Sequence, residues 1–198
     1  MCFALQHIAK LDAIFAVMPL EIKNTSIDGL LLVRPNRFSD SRGYFSETFS
    51  QRDFNETVGV DVKFVQDNES LSAKGVLRGM HFQLPPVPMG KLVRVVSGAI
   101  LDVAVDLRKG SQTYGKHESV RLDAGEGWQF WIPEGFAHGF LALEEGTKIA
   151  YKCTALYDPE CDSSIRWDDL GIDWGIADPL LSEKDSSAIS LKDFDSPF

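Results

Sequence analysis

One stretch limits the possible folds more than any other. Residues 92–107 read LVRVVSGAILDVAVDL, with apolar side chains at close to every second position and Ser97-Gly98 in the middle. A period of two belongs to a strand, and a Ser-Gly pair between two such runs predicts a turn joining them as a hairpin. The same pattern recurs elsewhere. Residues 30–34 form a short apolar run stopped by Pro35, and residues 62–66 (VKFVQ) are rich in strand formers. Residues 129–132 and 136–143 flank the turn Pro133-Glu134-Gly135, and residues 148–155 again look like a strand. Only residues 51–58 and the last twenty-odd have helical or irregular character. No 3.6-residue stripe is long enough for a helix bundle, and nothing repeats at the ~20–50-residue periods of a solenoid. Short strands punctuated by Gly and Pro predict an all-β sandwich or jelly roll with a few short helices, mainly near the C-terminus. No linker-like stretch divides residues 19–198, which are expected to form one domain. Residues 1–18 are expected to be an N-terminal extension, with Met18 as a second possible start.

Charge narrows the function. The 198 residues carry 20 Lys and Arg against 29 Asp and Glu, a formal charge of −9. That sign argues against a nucleic-acid partner. The first 17 residues are apolar but interrupted by Lys10 and Asp12, too short for a membrane span and without the features of a secretion signal. Three cysteines, Cys2, Cys153 and Cys161, with no CxxC pair, fit a reducing cytoplasm. The charge is also uneven. Residues 75–121 hold 7 basic and 3 acidic side chains, whereas residues 122–198 hold 5 and 16. A positive island in an acidic chain is what a pocket for a small anion requires, although a solvated face would give the same count.

No GxGxxG, GxxxxGK[ST] or GxSxG pattern occurs, so neither a nicotinamide cradle, nor a P-loop, nor a serine elbow is indicated. Of the four histidines, His7 and His117 lie in undistinguished contexts. Gly75-Val-Leu-Arg78-Gly-Met-His81-Phe-Gln83 resembles the start of the first cupin motif, and Gly127-x5-Pro133-x-Gly135-x2-His138 resembles the second. Cupins are double-stranded β-helix jelly rolls, in agreement with the strand pattern. A metal-binding cupin needs His-x-His and a following Glu. Here Gln83 stands at the second His and no carboxylate follows within residues 84–90, a poor ligand set for zinc or iron. The expectation is a chain using neither metal nor organic cofactor. A metal-dependent oxygenase and a non-enzymatic sugar-binding cupin are the competing classes.

Several longer motifs stand in order along the chain: Arg42-Gly-Tyr-Phe-Ser-Glu47, Gln66-Asp67-Asn68, the Gly75–Gln83 motif, Gly90-Lys91-Leu-Val-Arg94, Trp131-Ile-Pro-Glu-Gly-Phe-Ala-His138, Tyr151-Lys152 with Tyr157-Asp-Pro159, and Leu181-Ser-Glu-Lys184-Asp185. Together they resemble the dTDP-4-dehydrorhamnose 3,5-epimerase family. The resemblance runs from about residue 19 to about residue 185. It implies inversion at C3 and C5 of a dTDP-4-keto-6-deoxyhexose. A mono-epimerase or keto-isomerase on a related dTDP-sugar is the alternative.

By the resemblance, His81 is the base that removes a proton beside the ketone, a task suited to a neutral imidazole. Asp185 is its partner carboxylate; read alone, it is one more acid in an acidic tail. Lys91 faces the C4 oxygen as a compact cation, and Tyr151 returns a proton to the other face. Arg42, Arg78 and Lys184 match substrate-binding positions suited to the diphosphate. Glu47, Gln66, Asp67, Asn68 and His138 also match binding positions. Tyr157 is placed to stack on the thymine, with Leu156 where the family often has a second Tyr. Alternation along 149–157 would set Tyr151, Cys153 and Tyr157 on one side. The resemblance further implies a homodimer in which Arg42 and Glu47 serve the partner's site.

Overall fold

A computed structural model describes residues 20–198; the proposed extension and second start lie outside the described residues. Thirteen strands run in chain order: β1 (Glu21–Asn24), β2 (Leu31–Arg34), β3 (Phe38–Asp40), β4 (Gly43–Phe45), β5 (Gln66–Ser72), β6 (Leu77–Gln83), β7 (Lys91–Ser97), β8 (Ala99–Asp106), β9 (His117–Asp123), β10 (Gln129–Ile132), β11 (Phe136–Ala142), β12 (Thr147–Cys153) and β13 (Asp162–Ser164). Among the described residues helices are few: α1 (Gln51–Val58), the single turn α2 (Glu183–Ser186) and a 3-10 turn at Leu191–Asp193.

Two antiparallel sheets face each other. One has the order β1-β2-β10-β7-β12-β5, the other β13-β6-β11-β8-β9, and β3-β4 form a separate hairpin. From β5 onward the chain crosses from sheet to sheet at nearly every turn, the winding of a double-stranded β-helix. The expected hairpin across Ser97-Gly98 is therefore not one. β7 pairs with β10 and β12, whereas β8 pairs with β11 and β9, so the turn carries the chain between sheets. Apolar alternation marks which residues face inward but not which strand pairs with which.

Three apolar clusters hold the layers. Val93, Val95, Phe130, Ile132 and Ile149 of one sheet meet Ile100, Leu122, Phe136 and Phe140 of the other, closing one end of the sandwich. The back of the second sheet is covered by the C-terminal stretch through Ile165 and Trp174, with Phe194 and Phe198 packed alongside. β11 is consequently buried on both faces. On the outer face of the first sheet, Phe54 of α1 packs on Trp131 with Phe49 and Phe64 beside it. Ser50 caps α1 by accepting from the Asp53 N–H, and Gly59 ends it at φ 76°.

Residues 62–65 are not a strand, despite their composition. Val62 C=O accepts from the side-chain amides of Gln51 and Asn55, and Phe64 N–H donates to Gln51 Oε1, so α1 satisfies backbone groups a ladder would use. The neighbouring polar segment Gln66–Ser72 forms the strand instead.

One irregularity controls the site. Along β11 and β6, His138 pairs with His81 and Phe140 with Arg78, so two steps on β11 oppose three on β6. The extra residue is a bulge at Gly79, φ 147°. A Cβ there would lie 2.5 Å from Gly139 Cα. Gly79→Ala is expected to lower unfolding free energy by about 1–3 kcal/mol, the cost of overpacking, with a matching fall in the urea midpoint; an unchanged midpoint would show that the strands can separate freely.

Candidate active site

Between the two sheets, bordered by Phe140 and Ile149 of the first apolar cluster, lies a cavity of about 290 Å3. Its wall includes Gln66, Asn68 and Ser70 from β5; Arg78, His81 and Gln83 from β6; Lys91 from β7; His138 from β11; and Tyr151 from β12. Tyr157, Asp162, Lys184 and Asp185 also line it. Residues at i, i+2 and i+4 of β5 share a face, which puts Gln66, Asn68 and Ser70 on the cavity and turns Asp67 away. Asp67 instead pairs with Lys152 at 2.8 Å on the exposed side.

His81 and Asp185, 104 positions apart, meet at 2.5 Å through Nε2 and Oδ1. Local structure brings the acid there. Leu180 bridges to Val76 at the start of β6, and Ser182 then caps α2, accepting the Asp185 N–H at 3.1 Å. Asp185 is almost wholly buried. Burial alone would raise its pKa, but the hydrogen bond and charge of His81, with Ser182 and Lys184, bring it below the ordinary value. It accepts from the imidazole as a carboxylate.

A second His–Asp pair lies beside the first. His138 faces His81 across the strand pair, and its Nε2 donates to Asp102 Oδ1 at 2.7 Å. Burial lowers the His138 pKa, so the ring is neutral at neutral pH. Asp102 is fully buried, and its Oδ2 has no hydrogen-bond partner among the described residues. Sequence reasoning missed it, although a lone carboxylate inside the alternating run 99–105 was the available signal.

The opposite sheet supplies a cation and a phenol. Lys91 Nζ donates to the His81 carbonyl at 3.1 Å, and burial pushes its ammonium down to about 8. Burial raises the Tyr151 phenol, keeping it protonated through neutral pH. Tyr151 stands opposite Val93 on β7 and Asn68 on β5. Arg78 is tethered to Ser72 Oγ at 3.2 Å. At the mouth, Asp162, also missed from sequence and without any local signal, accepts from Lys184 at 2.5 Å and from the Tyr157 hydroxyl at 3.1 Å. Tyr157 lies beyond the end of β12, not on it, because its N–H leaves the ladder for Gln66 Oε1 at 2.9 Å.

Arg42 and Glu47 are not brought to the cavity. Arg42 extends from the β3-β4 turn and pairs with Asp40, and Glu47 is exposed. Among the described residues no group of three or more His, Cys, Asp and Glu is arranged to hold a metal ion. The Gln83 amide, at the position of a cupin metal ligand, is hydrogen-bonded to backbone. The geometry suits proton transfer at carbon: a base with an orienting carboxylate, a cation for a developing oxyanion and a protonated phenol.

The model of the dTDP-4-dehydrorhamnose 3,5-epimerase family matches residues 24–193. The dTDP-4-dehydrorhamnose 3,5-epimerase of Methanothermobacter thermautotrophicus is 54% identical over 174 residues, 85% of this chain and 93% of that one. The Legionella pneumophila dTDP-6-deoxy-D-glucose-3,5-epimerase, crystallised with dTDP-4-keto-L-rhamnose, superposes with a TM-score of 0.85 at 46% identity, covering 89% of this chain and 95% of its own. A 3'-monoepimerase from Streptomyces bikiniensis, in complex with dTDP-quinovose, gives 0.79 at 36% identity, covering 85% and 86%.

Lys91 carries a stability consequence. Between about 8 and the ordinary lysine value near 10.5 the unfolded chain binds the extra proton, so the folded state gains on the unfolded one as pH rises. Below that window the buried ammonium is a constant burden. Lys91→Met is expected to have the higher denaturant midpoint at pH 7, with the difference shrinking toward pH 10. A variant less stable than the parent at pH 7 would contradict this.

Proposed function

Since the chain belongs to the dTDP-4-dehydrorhamnose 3,5-epimerase family, we propose that its cavity binds dTDP-4-dehydro-6-deoxyglucose and inverts C3 and C5 to give dTDP-4-dehydro-L-rhamnose. The observation that carries the reading is the 2.5 Å contact of His81 with Asp185 on a cavity that also holds Lys91 and Tyr151. With Nε2–H donated to Asp185, the imidazole lone pair is on Nδ1, and that nitrogen takes the proton from the carbon beside the C4 ketone. The bonding pair moves to the C4 oxygen as an enolate, which the Lys91 ammonium stabilises; losing such a donor costs about 3–4 kcal/mol of barrier. Asp185 fixes the tautomer and stabilises the imidazolium, as an Asp does in hydrolase triads. Tyr151 gives its proton to the carbon from the opposite face, completing the inversion; solvent then takes the proton from the His81 imidazolium and returns one to the Tyr151 phenolate, and repetition at the second carbon gives the doubly inverted product.

Arg78 and Lys184 supply cations for the diphosphate, Gln66 and Asn68 contact the nucleotide, and Tyr157 stacks on the base. His138, held neutral by burial and oriented by Asp102, lines the sugar end. Asp67, turned outward, contributes through β5 and not by side-chain contact in this protomer. The reading includes a homodimer, with residues 19–198 as one domain in each subunit. The exposed β3-β4 hairpin, with Phe38, Tyr44 and Phe45 uncovered, supports it as the arm that carries Arg42 and Glu47 to the partner's cavity. Cytoplasmic residence belongs to the same proposal and accords with the buried free thiols Cys153 and Cys161. None of the described helices is long and apolar enough to cross a membrane. Inversion at a single carbon is the second reading, drawn from the likeness to the Streptomyces bikiniensis 3'-monoepimerase.

Incubation with dTDP-4-keto-6-deoxyglucose in D2O is expected to place deuterium at both C3 and C5, read by proton NMR. Label at one carbon favours the second reading, and no label overturns an epimerase assignment. Tyr151→Phe is expected to keep exchange at C3 while losing the doubly inverted product. His81→Ala should lose both. Asp185→Asn should lose activity by up to about 10^4-fold, the effect of the same change in a triad, and the double variant should be scarcely worse than His81→Ala. Additive losses would separate the two residues. Mixing inactive Arg42→Ala and His81→Ala proteins is expected to restore part of the activity if arms are exchanged, and none if each subunit acts alone.

A further inference from the structure

The loop of residues 154–161 carries Tyr157 to the cavity mouth with its ring more than half exposed. The Tyr157 hydroxyl donates to Asp162 at 3.1 Å, and its backbone is held as well. Three backbone groups around Tyr157 are held by two glutamines from facing sheets. Gln66 Oε1 on β5 accepts the Tyr157 N–H at 2.9 Å. Gln83 on β6 does more. Its Oε1 accepts the Asp158 N–H at 2.8 Å, and its Nε2 donates both to Leu156 O at 3.2 Å and to Val87 O at 2.9 Å. Gln83 is buried, two residues beyond His81 on the same face of β6, and lines the same cavity. It thereby ties the loop of residues 84–90 to the Tyr157 loop through a single head group.

Only a primary amide meets these demands. The head must give two hydrogens and accept one in a water-poor position. A carboxylate offers no hydrogens and would set charge against two carbonyls; a thioether fills the volume but offers neither. We propose that Gln83 is a positioning residue that fixes the Tyr157 loop in its nucleotide-binding conformation before the ligand arrives. It sets affinity for the nucleotide half of the substrate without entering the proton transfers. The inference rests on the reading above, that the cavity takes a dTDP-sugar. Preorganisation of this kind removes an ordering cost from binding, so its loss appears in affinity, not in the chemical step.

The test compares wild type, Gln83→Met, Tyr157→Ala and the double variant, by calorimetric titration with dTDP and by steady-state kinetics. Gln83→Met is expected to raise Kd for dTDP and KM about tenfold, in line with ordering costs of this kind, with kcat within about twofold. In the Tyr157→Ala background the same change should alter Kd less than about twofold, since the ring it positions is gone. A general structural lesion would depress kcat as well and would cost the same in both backgrounds; either result overturns the proposal. Amide exchange on the free wild-type protein needs no variant to fold. The Asp158 N–H is expected to be protected despite lying in a loop, and exchange at the rate of an open peptide overturns the proposal. If wild type binds no dTDP, the substrate reading falls and takes this one with it. If wild type binds and Gln83→Met binds equally, only the role of Gln83 falls.

Discussion

The catalytic end of the molecule depends on two strands that pass without side chains between them. Arg78 and His81 are three residues apart on β6, and in a regular strand an odd separation puts side chains on opposite faces. Both line the cavity because the bulge at Gly79 inserts one residue into the count. The bulge requires the backbone to approach Gly139 closely and to take a φ that favours glycine. Removing the extra residue would turn one of the two away. The same step sets His81 opposite His138, and each imidazole then meets a carboxylate, His81 one from the C-terminal turn and His138 one from the adjacent strand β8.

How much of this could be read from the chain depends on the range of the interaction. Among the apolar strands, β7 and β12 are legible because burial of mainly one face favours a period of two, and β8, β10 and β11 because burial of both faces makes them short continuous apolar runs bounded by turns. β5 and β9 were not. Gln66–Ser72 and His117–Asp123 are polar sequences that act as strands because each lies at a sheet edge with one face in the cavity or in solvent. The division into two sheets was also hidden, since a turn such as Ser97-Gly98 has the same local chemistry whether the chain returns to its neighbour or crosses to the facing layer.

The site divides in the same way. Motif resemblance gathered His81, Lys91, Tyr151, Asp185 and Lys184 from distant parts of the chain, and all of them line one cavity. Asp67 belonged to the same tripeptide as Gln66 and Asn68 but faces outward, which strand alternation requires once β5 is known. Asp102, Asp162 and the loop-holding role of Gln83 depend on which backbone passes beside which side chain. That information exists only after folding. The resemblance puts Tyr157 at the substrate and it lines the cavity, but not by the strand face it was expected to share with Tyr151: it arrives through a loop held by glutamines.

One physical cause, burial, prepares three different groups in this cavity. Desolvation penalises whichever form is charged. It therefore lowers the pKa of His138 and Lys91 and raises that of Tyr151. At neutral pH the outcome is a neutral second imidazole, a phenol that retains its proton and an ammonium close enough to its titration point to respond to a developing negative charge. A more open cavity would move all three back toward their values in water. A drier one would discharge Lys91 and, in the mechanism proposed above, leave the enolate without a cation. The depth of the pocket, set by the apolar cluster that closes one end of the sandwich and by the loops that rim the other, thus tunes the chemistry as much as the identity of any single residue.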